Sequence, residues 1–156
     1  MKQIADVMTR GVRTLSPQDS CLLAAQAMKE LDIGSVPVCD AQRLVGMVTD
    51  RDIVLRSVAQ ERPDANLGEI MSPEPVYCYA DEPLDKALQT MRGEQIRRLP
   101  VVDRDKRLVG MIALGDIATD GDEAAAGDAV RDISEPSRPD RSHLSAVSGN
   151  AGGGEN

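Results

Sequence analysis

The sequence predicts an α/β (α+β) fold made of two similar βαββα units, and two observations support this prediction. First, the segment around Met8 recurs around Met71, 63 positions later. One extra residue in the second copy then raises the offset to 64 for the stretches 43–47 and 107–111. Second, each copy alternates short apolar runs, typical of strands, with stretches of helical periodicity. Such a duplication indicates that the two copies bury their apolar faces against each other.

The first copy spans residues 1–60. Asp19 or Ser20 can cap a helix in which apolar residues recur at helical spacing, and Gly34 is expected to end that helix. In order, the predicted elements are a strand at 12–15, a helix from residue 20 to about residue 31, strands at 36–39 and 44–49, and a helix at 50–59.

A polar segment at 61–67, which contains Pro63, is the predicted linker to the second copy at 68–120. The second copy repeats the same order of elements, and Gly121 shortens its last helix. In order, the predicted elements are a strand at 76–79, a helix at 84–94, strands at 99–102 and 108–113, and a helix from residue 114 to about residue 119.

Residues 121–156 form a tail whose composition shifts to acidic residues and then to Gly and Ser. Such a segment is too polar to offset its ordering entropy, so we predict a flexible tail whose last residues, about fifteen of them, are disordered. One amphipathic helical turn is predicted at 129–133, before Pro136. The single histidine, His143, has no carboxylate or cysteine at ligand spacing and is expected to be solvated.

The composition excludes one class of partner. Hydrophobic residues make up 41% of the chain, but there is no Phe or Trp, so an aliphatic core is expected. We interpret the only aromatic residues, Tyr77 and Tyr79, as half-exposed strand residues, although one of them could lie against an adenine. A formal net charge of −8 argues against nucleic acid as a partner, because nucleic-acid binding depends on clustered Lys and Arg.

Three isolated cysteines, Cys21, Cys39 and Cys78, lack metal-ligand spacing and are expected to be reduced thiols that fill the core. No segment resembles a signal peptide or a membrane span, so we expect a cytoplasmic protein without a membrane partner. No nucleophile is paired with a base, and no cluster has metal-ligand geometry. The sequence therefore predicts no metal site and no enzymatic activity.

The stretch 44–53 carries the most specific chemistry. A buried strand delivers Thr49 to the start of a helix, where its hydroxyl, the first backbone N–H groups and the Arg51 guanidinium can converge on an anion. Asp52, one turn in, would repel a bare phosphate but can accept hydrogen bonds from vicinal ribose hydroxyls, which suits a nucleotide. The alternative is a capping box, because Thr-x-x-Asp before an apolar run can satisfy the same amides without a ligand.

The duplicated motifs resemble a known family. The stretches 33–38 and 46–52, with 96–103 and 110–116 in the second copy, are similar to the motifs of a tandem pair of cystathionine-beta-synthase (CBS) domains, also called a Bateman module. The resemblance covers residues 1 to about 120. It implies two βαββα repeats packed through their sheets about a pseudo-twofold axis, often in a disc-like homodimer. It also implies two clefts that bind AMP, ADP, ATP or another adenosyl ligand.

The resemblance also implies site residues. In the family, the Thr and Asp of the Thr-x-x-Asp motif contact phosphate and ribose, and residues just ahead of the Pro-Val strand often line the same cleft. The ligand-binding residues expected on these grounds are Thr49, Asp50, Arg51 and Asp52, the strand residues Ser35, Val36 and Pro37, and Arg98, Leu99, Pro100 and Asp116 in the second copy.

The second copy departs from the motif. Ala113 stands where the first copy has Thr49, so a hydroxyl is missing, while Asp116 keeps the carboxylate. Losing one such hydrogen bond costs about 1 kcal/mol, so we expect the second cleft to bind more weakly or to stay empty. Arg97 and Arg98 could restore phosphate affinity there through charge-assisted hydrogen bonds.

These inferences lead to one functional prediction and one alternative. The leading prediction is a regulatory or sensor module that binds an adenine nucleotide, AMP, ADP or ATP, as a regulatory ligand rather than as a cofactor. It would act through self-association as a homodimer or on an unidentified effector protein. The alternative, which Ala113 favours, is a ligand-independent homodimeric interaction or stress-response protein with degenerate clefts.

Overall fold

Two three-stranded sheets and their flanking helices form the protein. The structure is a computed structural model that describes residues 2–120 and 123–134. Over these residues, none of the helices combines the length and the apolar character that a membrane crossing requires. The helices are α1 (Cys21–Leu31), α2 (Asp50–Ile53), α3 (Leu67–Ile70), α4 (Leu84–Glu94), α5 (Leu114–Asp120) and α6 (Glu123–Ser134), with a 3₁₀ turn (Ile4–Asp6) and a π-helical turn (Val54–Val58) that continues α2. The strands are β1 (Ser35–Asp40), β2 (Arg43–Thr49), β3 (Ser72–Pro73), β4 (Cys78–Tyr79), β5 (Arg98–Val102) and β6 (Leu108–Ala113).

Each sheet is completed by a segment from the start of the other copy. In the first sheet β1, β2 and β3 are antiparallel neighbours, and β3 belongs to the start of the second copy. In the second sheet β4 is parallel to β5, β5 is antiparallel to β6, and Thr9 pairs with Met111 of β6 through hydrogen bonds of 2.8 and 2.9 Å. The two copies therefore exchange their opening segments.

This exchange carries apolar side chains into the opposite core. Ile4 and Met8 are buried in the core cluster of the second copy, whereas Leu67 and Ile70 are buried in that of the first. Part of the predicted linker at 61–67 thus belongs to a core. Each core is therefore completed by residues from the start of the other copy.

Two matched glycines allow this close approach of the backbones. A Cβ atom on Gly110 would lie 2.7 Å from the carbonyl oxygen of Thr9. A Cβ atom on Gly46 would lie 2.5 Å from Sδ of Met71. Because interiors are close-packed, any side chain at these two positions would push the exchanged segment away from its sheet.

The two hairpin turns meet on the pseudo-twofold axis that relates the copies. The backbone N–H of Leu44 donates a 3.1 Å hydrogen bond to the carbonyl of Lys106, and that of Leu108 donates a 2.9 Å hydrogen bond to the carbonyl of Gln42. These reciprocal bonds join the sheets at one end of the molecule.

Most predicted elements are present, with differences at their ends. Ser20 caps α1, since its side chain accepts a 3.0 Å hydrogen bond from the first turn. The helix ends at Asp32 in a left-handed conformation with φ of 54°, so it terminates before Gly34. The predicted strand at 12–15 is reduced to one parallel bridge between Leu15 and β1.

The segment that follows the second copy is more ordered than predicted. Instead of one helical turn at 129–133, the structure contains α6, which packs against α4 and α5. Ile133 lies against the core of the second copy, and Arg92 donates a 2.6 Å hydrogen bond to Asp132. These tertiary contacts stabilise a helix that its polar composition alone did not indicate. The predicted disordered end and His143 lie outside the described residues.

Candidate functional site

Strand β2 delivers Thr49 to the first turn of α2, as the sequence predicts. Ser35 of β1 is the antiparallel register partner of Thr49. Thr49 Oγ1 accepts a 3.0 Å hydrogen bond from the backbone N–H of Asp52, and Asp52 Oδ2 accepts a 3.0 Å hydrogen bond from the backbone N–H of Thr49. The capping box that the sequence offers as an alternative is therefore formed.

The capping box leaves both side chains with hydrogen-bonding capacity. Thr49 acts as an acceptor within the box, so its hydroxyl hydrogen can still be donated to an anion. The second carboxylate oxygen of Asp52, Oδ1, lies 3.9 Å from Nε of Arg56 and can accept further hydrogen bonds. Capping and ligand binding are thus chemically compatible at this strand end.

A cavity of about 460 Å³, which we call the Thr49 cleft, opens between the two copies. This volume lies within the range of small-molecule sites. Four of the residues predicted from the sequence line it: Ser35, Thr49, Arg98 and Pro100. The other lining residues are Met47, Ser72, Pro75, Val76, Ile96 and Arg97.

A second cleft, of about 290 Å³, is the pseudo-symmetric counterpart of the first. Each cleft combines the proline-containing strand of one copy with the last strand of the other, β5 with β2 in the Thr49 cleft and β1 with β6 in the second. Ser35 and Arg98 line both clefts, so Arg98 lies at the first cleft as well as at the second, where its position in the sequence placed it. The second cleft is lined by Gly11, Val12, Arg13, Leu31, Ile33, Ser35, Pro37, Arg98 and Met111.

The degenerate motif of the second copy faces a third cavity. Ala113 lines this cavity of about 400 Å³ together with Arg97, Arg98 and Val130 of α6. The backbone N–H of Ala113 donates a 3.0 Å hydrogen bond to Asp116 Oδ2, so half of the capping box persists. The second motif therefore offers a carboxylate that is already bonded to its own backbone, and no hydroxyl.

Several predicted residues lie outside these three cavities. Val36 and Leu99 are fully buried in the two cores, because the alternation of side chains along β1 and β5 turns them away from the clefts. This finding corrects the expectation that their side chains face a ligand. The remaining predicted residues that line none of the three cavities are Asp50 and Arg51, which are exposed, and Asp52 and Asp116, which are half-buried.

The charged groups that line the two clefts are positive. Arg98 and Arg13 are exposed, and neither forms an ion pair with any residue in 2–120 or 123–134. Among the residues that the structure describes, no carboxylate lines either cleft. A phosphate placed here would meet guanidinium groups that are available for charge-assisted hydrogen bonds.

Sequence reasoning missed several lining residues. Arg13 lies within the first predicted strand and carries no motif of its own. Met47 and Met111 occupy matched positions in the two copies, and this repetition is the signal that could have indicated equivalent places in two clefts. Val76 follows β3, whose pairing with β2 of the first copy no local sequence pattern indicates.

The cysteines are unsuited to metal binding. All three of Cys21, Cys39 and Cys78 are buried and unpaired. Burial, with a smaller contribution from the negative charge of Glu82, raises the pKa of Cys78 to about 12, and burial also raises the pKa of Cys39. Over the described part of the chain, no three His, Cys, Asp or Glu side chains are grouped in a way that could hold a metal ion.

The chain belongs to the CBS domain family. The family model for the CBS domain matches residues 4–58 and again residues 67–120. A tandem CBS pair is therefore the class of protein that the duplicated sheets and the clefts between the copies define.

Solved CBS pairs have the same fold. Hypoxic response protein 1 of Mycobacterium tuberculosis is 37% identical over 87% of this chain and 96% of its own length. The crystal structure of hypoxic response protein I, with two coordinated zinc ions, has a TM-score of 0.69 over 76% of this chain and 98% of that one. CBSX2 of Arabidopsis thaliana in complex with AMP is 26% identical, with a TM-score of 0.68 over 76% and 95% of the two chains. The CBS pair of protein MJ0100, in complex with 5′-methylthioadenosine and S-adenosyl-L-methionine, is 28% identical, with a TM-score of 0.67 over 76% and 94%.

Proposed function

We propose that the protein is a regulatory module that binds an adenine nucleotide, AMP, ADP or ATP, or a related adenosyl ligand, in the Thr49 cleft. The observation that carries the proposal is the lining of this cleft, in which the described residues supply hydroxyl groups, two arginines and an apolar wall but no carboxylate. Two CBS pairs of the same fold hold adenosyl ligands, AMP in one case and 5′-methylthioadenosine with S-adenosyl-L-methionine in the other.

In this proposal the phosphate lies between Thr49 and Arg98. The Thr49 hydroxyl donates one hydrogen bond, and the planar guanidinium of Arg98 can donate two parallel N–H bonds to phosphate oxygens. Asp52, one helical turn from Thr49, accepts hydrogen bonds from the ribose hydroxyls through Oδ1, which the capping box does not use. The same three groups thus distinguish a nucleotide from a bare phosphate.

The adenine packs against the apolar wall of the cleft. Met47 and Ile96 are half-buried, and the side chain of Val76 is 37% exposed although it is apolar. A bound base would remove this apolar surface from water, which contributes about 25 cal/mol per Å². Methionine adapts its shape to flat ring edges and suits such a contact.

Isothermal titration calorimetry with AMP, ADP, ATP and S-adenosylmethionine tests the proposal. Thr49→Val removes the hydroxyl and is expected to weaken binding about fivefold, whereas Thr49→Ser keeps the hydroxyl and should bind as wild type does. Arg98→Gln removes charge-assisted hydrogen bonds and should weaken phosphate-bearing ligands at least about tenfold. Arg62→Gln is the matched control, because Arg62 pairs with Glu69 and lines none of the three cavities.

Variants of Asp52 and Asp116 show which of the two motifs contributes more to ligand affinity. Asp52→Asn keeps an oxygen acceptor for the capping box but loses the charge that favours ribose hydroxyls, so it should reduce affinity more than Asp116→Asn does. Equal losses in the two variants would contradict the assignment of the ligand to the Thr49 cleft. If none of the four ligands gives a binding heat in calorimetry, the proposal itself is refuted.

A ligand-independent interaction protein is the second candidate. The observation that favours it is the complete capping box, in which Thr49 and Asp52 satisfy each other's backbone without a ligand. This function would be supported if the folded protein self-associates but binds none of the four ligands.

We further propose that the module acts through self-association. A group of exposed large apolar side chains, the apolar helix face, lies on α1 and the π-helical turn of the first copy. In the second copy, α6 packs against the corresponding helices α4 and α5. A homodimer would bury the uncovered face. Separately, the three unpaired cysteines of each chain suit a reducing cytoplasm. The apolar helix face consists of Leu22, Val54, Leu55 and Val58.

A further inference from the structure

We propose a second ligand site, outside the two clefts, for a small zwitterion with an apolar body, of which an apolar α-amino acid is the simplest example. The site is a cavity of about 390 Å³, the turn cavity, at the end of the pseudo-twofold axis where the two hairpin turns meet. It shares only Pro75 with the Thr49 cleft. The turn cavity is lined by Leu44, Val45, Glu74, Pro75, Tyr77, Val102 and Lys106.

The polar and aromatic groups around the turn cavity occur in one copy only. The only aromatic residues of the chain, Tyr77 and Tyr79, stand where the first copy has Thr14 and Ser16. The extra residue that changes the repeat offset from 63 to 64 lies in the β5–β6 turn, which carries Arg104 and Lys106. Because the first copy forms its sheet without these groups, the fold does not require them.

The Tyr77 ring is held in place by a chain of contacts. The Tyr79 ring meets it edge to face, with centroids 5.5 Å apart and an interplanar angle of 89°. The Arg104 guanidinium stacks 4.0 Å from the Tyr79 centroid and donates hydrogen bonds of 2.7 and 3.0 Å to the Asp81 carboxylate. Tyr77 therefore presents an oriented aromatic wall to the turn cavity.

Lys106 supplies a positive charge beside this ring. Its Nζ lies 5.7 Å from the Tyr77 centroid, within the range of a cation–π contact. Its backbone is fixed in the left-handed conformation, with φ of 63°, by hydrogen bonds to Asp103 and from Leu44. The ammonium is thus held at the edge of the turn cavity.

Glu74 supplies a negative charge in the same cavity. Neither Glu74 nor Lys106 forms an ion pair within 4.0 Å with the other, or with any other residue in 2–120 and 123–134. Two opposite charges therefore line one cavity without forming an ion pair with each other. This separation suits a ligand that carries both charges, with its carboxylate on Lys106 and its ammonium on Glu74.

The floor of the turn cavity is apolar. Val102 is 1% exposed, and Leu44 and Val45 are half-buried. These side chains, with Pro75 and the Tyr77 ring, provide an apolar surface for the body of the ligand. Glu74 would repel the phosphate of a nucleotide, and among the described lining residues Lys106 is the only cation, so the turn cavity suits a nucleotide less well than a zwitterion.

Intrinsic tyrosine fluorescence reports on this part of the molecule, because the chain contains no Trp and both tyrosines lie in the cluster. The wild-type protein is titrated with L-leucine, L-isoleucine, L-valine and L-methionine. A saturable change in emission is expected with at least one of them. For the amino acid that binds, the analogue with an N-acetyl group and the analogue with an amide in place of its carboxylate should each bind at least about tenfold more weakly.

Variants separate this site from the Thr49 cleft. Lys106→Asn, whose asparagine tolerates the left-handed backbone, and Glu74→Gln should each weaken amino-acid binding at least about tenfold. Thr49→Val should leave amino-acid binding unchanged while it weakens nucleotide binding, so failure of one site is distinguishable from failure of the other. No emission change with any of the four amino acids, or equal binding of the blocked analogues, would overturn the proposal.

Discussion

Replacing Gly110 with alanine tests the exchange of opening segments that joins the two copies. The added Cβ would lie 2.7 Å from the carbonyl oxygen of Thr9 and 2.8 Å from Sδ of Met8. The Thr9 carbonyl accepts a 2.9 Å hydrogen bond from the N–H of Met111, and the N–H of Thr9 donates a 2.8 Å bond in return, so moving Thr9 stretches both. Overpacking costs about 1–3 kcal/mol and a weakened hydrogen bond about 1 kcal/mol. We therefore expect the free energy of unfolding to fall by about 2–4 kcal/mol.

Equilibrium unfolding in urea, followed by circular dichroism, measures this loss. Gly93→Ala is the matched control, because Gly93 lies in α4 and a Cβ there would meet nothing within 4 Å. Alanine is the better helix former, so this variant should gain up to about 1 kcal/mol. A Gly110→Ala variant whose free energy of unfolding stays within about 0.5 kcal/mol of wild type would refute the close approach of the two backbones.

Three further predictions concern the core, a buried thiol and the helix surface. Ile4→Ala should cost about 2–5 kcal/mol of unfolding free energy, because Ile4 is fully buried in the core of the second copy; a loss below about 1 kcal/mol in urea would be too small for that burial. Burial raises the pKa of Cys78 from its ordinary value of 9.0 to about 12, so the stability linked to this shift is complete below pH 9 and is lost as the pH rises toward 12. The melting temperature should therefore fall above pH 9, and it should fall less steeply in Cys78→Ala. A fall of equal steepness in the two proteins would contradict this. Val58→Glu should weaken self-association in sedimentation velocity with little change in monomer stability, since Val58 is 65% exposed; an unchanged dimer would exclude the apolar helix face as its interface.

Periodicity in the sequence predicted the elements that form their own local pattern. The helix predicted at 84–94 and the strand predicted at 108–113 coincide with α4 and β6, because each has the apolar spacing of its own structure. By contrast, β3 is two residues long and exists only through its pairing with β2. Helix α6 depends in the same way on the docking of Ile133, which a polar composition does not reveal.

The sequence predicted only the part of the candidate site that depends on a local pattern. The Thr-x-x-Asp spacing placed Thr49 at a strand end next to a helix, which is a local property. That Arg98 lines both clefts follows from strands of different copies meeting at the pseudo-twofold axis, and no local pattern encodes that meeting. The opposite charges of Glu74 and Lys106 likewise reach one cavity only in the folded chain.

A crystal structure of the protein grown with saturating AMP is the most direct test of the proposed nucleotide site. Our account predicts the phosphate within hydrogen-bonding distance of Thr49 Oγ1 and the Arg98 guanidinium, with the adenine against Met47 and Ile96. AMP bound elsewhere on the protein, or a Thr49 cleft that holds no AMP under these conditions, would contradict it.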